Sequence, residues 1–256
     1  MTGLIAITRQ VSPAINQCEL THLERQPIDW QRAQAQHREY VEALRSLGVE
    51  VVSLLPRLDL PDSVFVEDAA VVLDDCAIIT RPGADSRKPE TDLIAQVLFP
   101  YRRLFHIQAP ATVDGGDVLV VGKRLFVGIS SRSNQDAVEQ MQGFLTPLGY
   151  TVHPVKVTGC LHLKSAVTQV GENLLLVNPA WVDRDEFPGM QFIDIDPSEA
   201  YAANAVLVGD HIIYPSAFPQ TRKRLEAAGI KLVAVDASEL AKAEGAVTCC
   251  SLVFNK

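Results

Sequence analysis

The sequence predicts an internally repeated α/β domain, and two observations carry that reading. First, one order of segments recurs at 69–108, 117–155 and 204–235: two short apolar runs, a helical stretch and a third apolar run. A supersecondary unit that recurs in this way buries its apolar face against neighbouring units. Second, the 256 residues are 47% hydrophobic, which is enough to bury a sizeable core and argues against disorder. That length suits one large domain or two small ones, and no linker or low-complexity stretch marks a boundary. We therefore read 1–256 as one domain.

In the first unit, runs 69–73 and 76–80 flank the turn Asp74-Asp75, and a Pro82-Gly83 break precedes a helix over 87–100 and a run over 103–107. In the second, runs 118–121 and 125–129 flank Gly122-Lys123, with a helix over 132–146 and a run over 151–155. In the third, runs 205–208 and 211–214 flank Gly209-Asp210, with a helix over 218–228 and a run over 231–235. Two further units are suggested. One joins a strand at 3–9, a helix at 28–47 and a strand at 49–55, and the other is built on 165–170 and 174–177. The helix 28–47 places Trp30, Ala33, Tyr40, Val41 and Leu44 on one face, and Gly48 stops it. Segment 10–27 carries Pro13, Asn16 and Pro27 and reads as an irregular, mobile loop, while 180–200 is mixed in character.

Net charge is −8 and the pI is about 5.2, which argues against nucleic-acid binding and is compatible with a small cationic substrate. The N-terminus has no basic region followed by a long apolar segment, and no apolar run is long enough to cross a bilayer. The five cysteines, Cys18, Cys76, Cys160, Cys249 and Cys250, are odd in number and lack metal-finger spacing. A reducing cytoplasm with at least one free thiol is the expectation. No P-loop, dinucleotide glycine pattern, zincin helix or Gly-x-Ser-x-Gly elbow occurs.

Four groups of residues carry potential chemistry. Cys249 is either a thiol nucleophile or a small hydrophobe in a terminal strand. Strand alternation would turn Cys249 and Cys250 to opposite faces without saying which one meets a pocket. His162, between Leu161 and Leu163, would point away from both in a strand, as an acid–base group in a cleft or as a structural histidine. Asp114-Gly115-Gly116-Asp117 is either a polar turn or a close backbone approach. In the turn reading its acids only open a strand pair; in the other, Asp114 orients His162 and Asp117 starts the strand or binds a ligand. Asp62, Glu67 and Asp68 bracket the strand-like Val64-Phe65-Val66, either as solvated strand ends or as a pocket for a planar cation such as a guanidinium. No histidine accompanies these acids, and calcium-loop spacing is absent. Arg87 and Arg132 follow serines at equivalent helix starts, where an anion would be held.

Read together, five segments resemble the dimethylarginine dimethylaminohydrolases of the guanidine-modifying (pentein) superfamily. They are Leu60 to Asp68, Ile79 to Arg87, Asp114 to Leu119, Leu161 to Ser165 and Thr248 to Ser251, in that family's order. The resemblance covers nearly the whole chain and implies a five-bladed α/β-propeller of repeated ββαβ units around a central active-site pocket. It implies that Cys249 is the nucleophile, His162 the acid and base, and Asp114 its partner. It implies that Asp62, Glu67 and Asp68 hold the guanidinium, and that Arg87 and Arg132 hold the α-carboxylate. Leu20 falls on a lid that closes over substrate, and Ala243 offers its carbonyl to the α-amino group. The implied activity is hydrolysis of an Nω-methylated L-arginine to citrulline through a thiouronium intermediate. No cofactor or metal is implied, although an inhibitory zinc at Cys249 and His162 is compatible with the ligand types. A monomer or a homodimer is expected. An arginine deiminase, an amidinotransferase or a non-catalytic arginine binder are the rivals. The intact set Cys249, His162 and Asp114 argues against the last.

Overall fold

The computed structural model describes residues 3–256 as five three-stranded sheets of identical plan. In each sheet the central strand pairs antiparallel with the strand on one side and parallel with the strand on the other.

The first unit contains β1 (Leu4–Arg9), α1 (Trp30–Ser46) and β2 (Glu50–Leu54). Asp29 caps α1 by accepting the Arg32 N–H, and Gly48 ends it at φ +82°. Its buried face holds Ala33, Tyr40, Val41 and Leu44 as expected, together with Gln36 and His37. The second unit is β3 (Ala70–Val72), β4 (Cys76–Ile79), α2 (Pro89–Leu98) and β5 (Arg103–His106). The third is β6 (Val118–Val121), β7 (Arg124–Ile129), α3 (Gln135–Leu145) and β8 (Thr151–Lys156). A helical turn, α4 (Leu163–Ala166), leads into the fourth, which is β9 (Val167–Gly171), β10 (Leu174–Val177) and β11 (Gln191–Asp194). The fifth is β12 (Val206–Val208), β13 (His211–Pro215), α5 (Pro219–Ala227) and β14 (Lys231–Val235). After α6 (Ser238–Ala241), the last strand β15 (Leu252–Asn255) returns to the first unit.

That return completes the repeat. β15 pairs antiparallel with β1 in the register Leu4 with Asn255 to Ile7 with Leu252, so the two ends of the chain share one sheet. The first strand of every unit, β3, β6, β9, β12 and β15, lines a single central cleft of about 200 Å3. Five inner strands around one axis make the five-bladed propeller.

One local expectation is corrected, and one unit departs from the common plan. Val64-Phe65-Val66 is not a strand. Turn bonds take over there, with Ser63 Oγ donating to the Leu60 carbonyl and the Phe65 N–H to that of Asp62, and a 3-10 turn follows at Val66–Ala69. In the fourth unit, among the described residues, only a 3-10 turn (Arg184–Glu186) stands where the other units carry a helix. Pro179, Pro188 and Gly189 interrupt that stretch. Segment 10–27 is irregular as expected, but it is tied down. Asn16 Oδ1 accepts the Ile28 N–H, and Arg25 reaches the carbonyls of Asn16 and Cys18.

Candidate active site

The loops that enter the inner strands converge at one end of the axis. Asp62, Asp68, Arg87, Asp114, Arg132, His162, Ala243 and Cys249 line one cleft there. Two expected residues lie elsewhere. Leu20 packs on the apolar cluster containing Ile15 and Phe65, and its neighbour Glu19 lines the cleft instead. Glu67 faces the central cleft behind the site, where it accepts from Lys164 Nζ at 2.6 Å and Thr248 Oγ1 at 2.8 Å.

Cys249 does not sit in a strand. It occupies a 3-10 turn, Thr248–Cys250, just before β15. Successive residues of such a turn point in well-separated directions. Cys250 therefore enters the core while Cys249 lines the cleft. The Cys249 Sγ accepts the Ala246 N–H at 3.4 Å. Burial, and then the charges of Glu67 and Asp68, push the thiol up to about 12, so it is protonated at neutral pH.

His162 is likewise not on a strand; it stands at the N-cap position of α4, its side chain free of any capping bond. Its Nε2 lies 3.0 Å from Asp114 Oδ2, and its Nδ1 lies 4.0 Å from Asp68 Oδ1. Burial alone would lower its pKa. The Asp68 charge, the Asp114 bond and the Asp117 charge outweigh that and carry it up to about 9. The imidazole is therefore an imidazolium at neutral pH.

The run Asp114-Gly115-Gly116-Asp117 is the framework of this pair. A Cβ on Gly115 would stand 1.9 Å from the Glu67 carbonyl oxygen, and one on Gly116 would stand 2.6 Å from His162 Nδ1. Only glycine lets the backbone pass there. The Gly116 N–H donates to Asp68 at 2.9 Å. Asp117 is fully buried and spent on the protein, since it accepts from Ser130, Ser133 and the Leu163 N–H. It positions the His162 loop.

Arg87 is 5% exposed, and its guanidinium joins Asp68 at 2.5 Å, Glu90 at 2.8 Å and the carbonyls of Phe65 and Asp62. Its charge compensates the buried acids. Burial raises the pKa of Asp62, while Arg87 and the Glu19 N–H oppose that rise. Asp68 is held below its ordinary value because His162 and Arg87 outweigh burial. Arg132 is half-buried in the turn before α3 and donates to Thr21 Oγ1 at 2.8 Å.

Sequence reasoning missed Glu90, Lys164 and Glu244. Glu90 stands three residues after Arg87, the spacing of an in-helix ion pair, so it was findable. Lys164 lies inside the segment Leu161 to Ser165. Glu244 carried no local signal. Among the described residues the one tight set of metal-capable donors is Asp68, Asp114 and His162, which excludes Cys249. These carboxylates already accept from His162, Arg87, Gly83 and Gly116, as an ion-pair network does.

A half-buried thiol, a carboxylate-held imidazolium and an anionic cleft at one mouth of a five-unit propeller define a guanidine-modifying enzyme of the pentein class. A family model described as N,N dimethylarginine dimethylhydrolase, eukaryotic, matches residues 7–254. The chain belongs to the dimethylarginine dimethylaminohydrolase family. The Streptomyces coelicolor N(G),N(G)-dimethylarginine dimethylaminohydrolase is 38% identical over 96% of this chain and 95% of its own length. The Pseudomonas aeruginosa enzyme, solved as a Cys-to-Ser mutant complexed with citrulline, superposes with a TM-score of 0.94 at 35% identity, covering 99% of this chain and all of that one. A His-to-Gly dimethylarginine dimethylaminohydrolase adduct with S-methyl-L-thiocitrulline superposes at 0.93, also at 35% identity, covering 99% of this chain and 100% of its own.

Proposed function

We propose that this chain hydrolyses Nω-methylated L-arginine, asymmetric dimethylarginine or monomethylarginine, to L-citrulline and dimethylamine or methylamine through a covalent Cys249 intermediate. The observation that carries the reading is the convergence of Cys249, the Asp114-held His162, Asp62 and Asp68 on one cleft, where both partners hold their protons, the thiol pushed up to about 12 and the imidazole up to about 9. A protonated His162 is not a base for the thiol. The missing positive charge comes with the substrate.

With the guanidinium between Asp62, Asp68 and the sulfur, its charge offsets the acids that held the thiol neutral. The thiol loses its proton to solvent, and the thiolate forms a C–S bond to the central guanidinium carbon. His162 gives its proton to the substituted nitrogen, the C–N bond breaks, and the amine departs. A thiouronium remains on Cys249. Neutral His162 then takes a proton from water, the hydroxide adds to the same carbon, and the C–S bond breaks to release citrulline. Asp114 keeps His162 oriented through both transfers. Glu67 acts on the sulfur through its field and through Thr248 rather than by touching substrate. Of the Arg87 donors one Nη1 hydrogen has no protein acceptor, whereas Arg132 spends only one donor on Thr21. Arg132 therefore takes the larger share of the α-carboxylate, and the Ala243 carbonyl takes the α-amino group. No helix among the described residues is long and apolar enough to cross a membrane.

The test is citrulline release from asymmetric dimethylarginine and from arginine, side by side, by the native chain and Cys249→Ser. The native chain should favour the methylated substrate, and the variant should keep its fold and lose more than roughly a thousandfold in kcat. Near-native turnover by the variant would overturn the mechanism, and preference for unmethylated arginine would overturn the substrate.

A further inference from the structure

Resting on the reading above, we infer that Glu244 is a positioning residue, the latch that holds segment 19–23 closed over the guanidinium cleft. The N–H groups of Thr21, His22 and Leu23 converge on its carboxylate at 3.0, 2.5 and 2.6 Å. Three successive backbone donors aimed at one point form a concavity suited to an anion, and here the anion is a side chain more than 200 positions away in sequence.

The backbone of Glu244 supports this assignment. Its φ is 57°, the one positive value at a non-glycine residue among those described. A glutamate is disfavoured in that conformation, and glycine would adopt it freely. The surrounding turn is fixed by other means. The Glu244 N–H donates to the Ala241 carbonyl, the Gly245 N–H to that of Leu240, and a Cβ on Gly245 would stand 2.2 Å from the Phe65 ring. A turn residue alone would serve better as glycine, so the three amides of the lid account for the side chain.

Of the other ties of the lid, Ser86 Oγ donates to the Glu19 carboxylate, and two more belong to the binding machinery. The Glu19 N–H donates to Asp62 at 3.1 Å, and Arg132 donates to Thr21. Substrate competes for Asp62 and Arg132. The Glu244 side chain makes its bonds to the lid only and is free to keep them while substrate is bound. With the lid in place the cleft holds about 20 Å3, room for roughly one water. A methylated arginine enters only when 19–23 lifts, which breaks the Glu244 bonds. Their re-formation seals the site, and Ala243, beside the latch, couples closure to the substrate's α-amino end.

The experiment uses the full chain as native, Glu244→Gly and Glu244→Gln. Glycine removes the latch and relieves the backbone at once, so the two roles predict opposite outcomes. Under either role the relieved backbone should keep Glu244→Gly folded, so exchange and KM are the readouts that separate them. For the latch, amide hydrogen exchange at 21–23 should rise, and KM for asymmetric dimethylarginine should rise roughly tenfold or more with kcat changed less than about threefold, as expected on losing charge-assisted bonds that act in binding. Glu244→Gln keeps one acceptor oxygen and should fall between. Native KM and unchanged exchange in Glu244→Gly would reduce Glu244 to a turn residue and overturn the inference. A fall in kcat at constant KM would overturn it too, by placing the group in the chemical step. A native chain that releases no citrulline would sink the proposed function, and the exchange measurement would still decide the latch.

Discussion

Arg87 and Arg132 occupy the same place in consecutive units, just before α2 and just before α3, yet they live in different surroundings. Arg87 is buried among Asp68, Glu90 and two carbonyls, while Arg132 is half-exposed and touches the lid. The cause lies in the acid that opens each inner strand. Before β3, Asp68 turns its oxygens to Arg87 and the Gly116 N–H. Before β6, Asp117 is satisfied by two serine hydroxyls and the Leu163 N–H. A carboxylate satisfied by neutral donors leaves the arginine of its unit uncommitted. One committed to a guanidinium makes that arginine part of the core. The repeat fixes where an arginine emerges, and the neighbouring acid decides whether it is locked into the fold or left uncommitted at the cleft.

The comparison breaks most readily at Arg87. Arg87→Met should leave Asp68 and Glu90 buried without their partner, a loss of about 3–5 kcal/mol in denaturant unfolding. The same change at Arg132 should stay within about 0.5 kcal/mol, because a half-exposed arginine with one hydroxyl partner shields no buried charge. Equal destabilisation would show that the two environments differ in appearance only. The next effect is kinetic. Arg132→Met should raise KM for asymmetric dimethylarginine roughly tenfold or more with kcat less affected, since bidentate carboxylate recognition acts in substrate binding. A KM unmoved by Arg132→Met would return the α-carboxylate to Arg87.

The second, third and fifth units were legible because their strands are short apolar runs bounded by Asp-Asp, Gly-Lys or Gly-Asp turns, and β6 and β14 begin and end where the sequence places them. The first unit was half-legible. Its missing strand is β15, supplied from the far end of the chain, and no local pattern announces pairing across 250 residues. The site was legible as a set of residue types and poorly legible as geometry. Cys249, His162 and Val64 to Val66 looked like strand because their neighbours are apolar. Those neighbours are apolar because the tight turns carrying the site are themselves buried, with Val64 at 0% and Leu163 at 0% exposure. The side on which Glu67 falls depends on one step of a 3-10 turn, and Glu244 depends on a contact between opposite ends of the chain.

The smallest effect is in the pH profile, and it sharpens the contrast between the two arginines. His162 titrates at about 9, raised by Asp68 and Asp114 against the effect of burial. The kcat/KM for the methylated substrate should therefore fall as pH rises through about 9, when the proposed acid for the leaving amine is lost. The same shift makes a stability statement. A group raised in the folded state stabilises it fully below its unfolded value near 6.5, and the contribution disappears as pH climbs through about 9. Unfolding free energy should decline across that window in the native chain. Arg132→Met leaves the charges around the imidazole in place and should leave both limbs where they are. Arg87→Met removes the cation that shares Asp68 with His162. Asp68 then attracts the imidazolium with less compensation, and the alkaline limb should move upward by a fraction of a unit. A limb that moves down, or moves equally in both variants, would mean that Asp68 does not set the charge on His162, and the electrostatic link between the second unit and the catalytic pair would have to be abandoned.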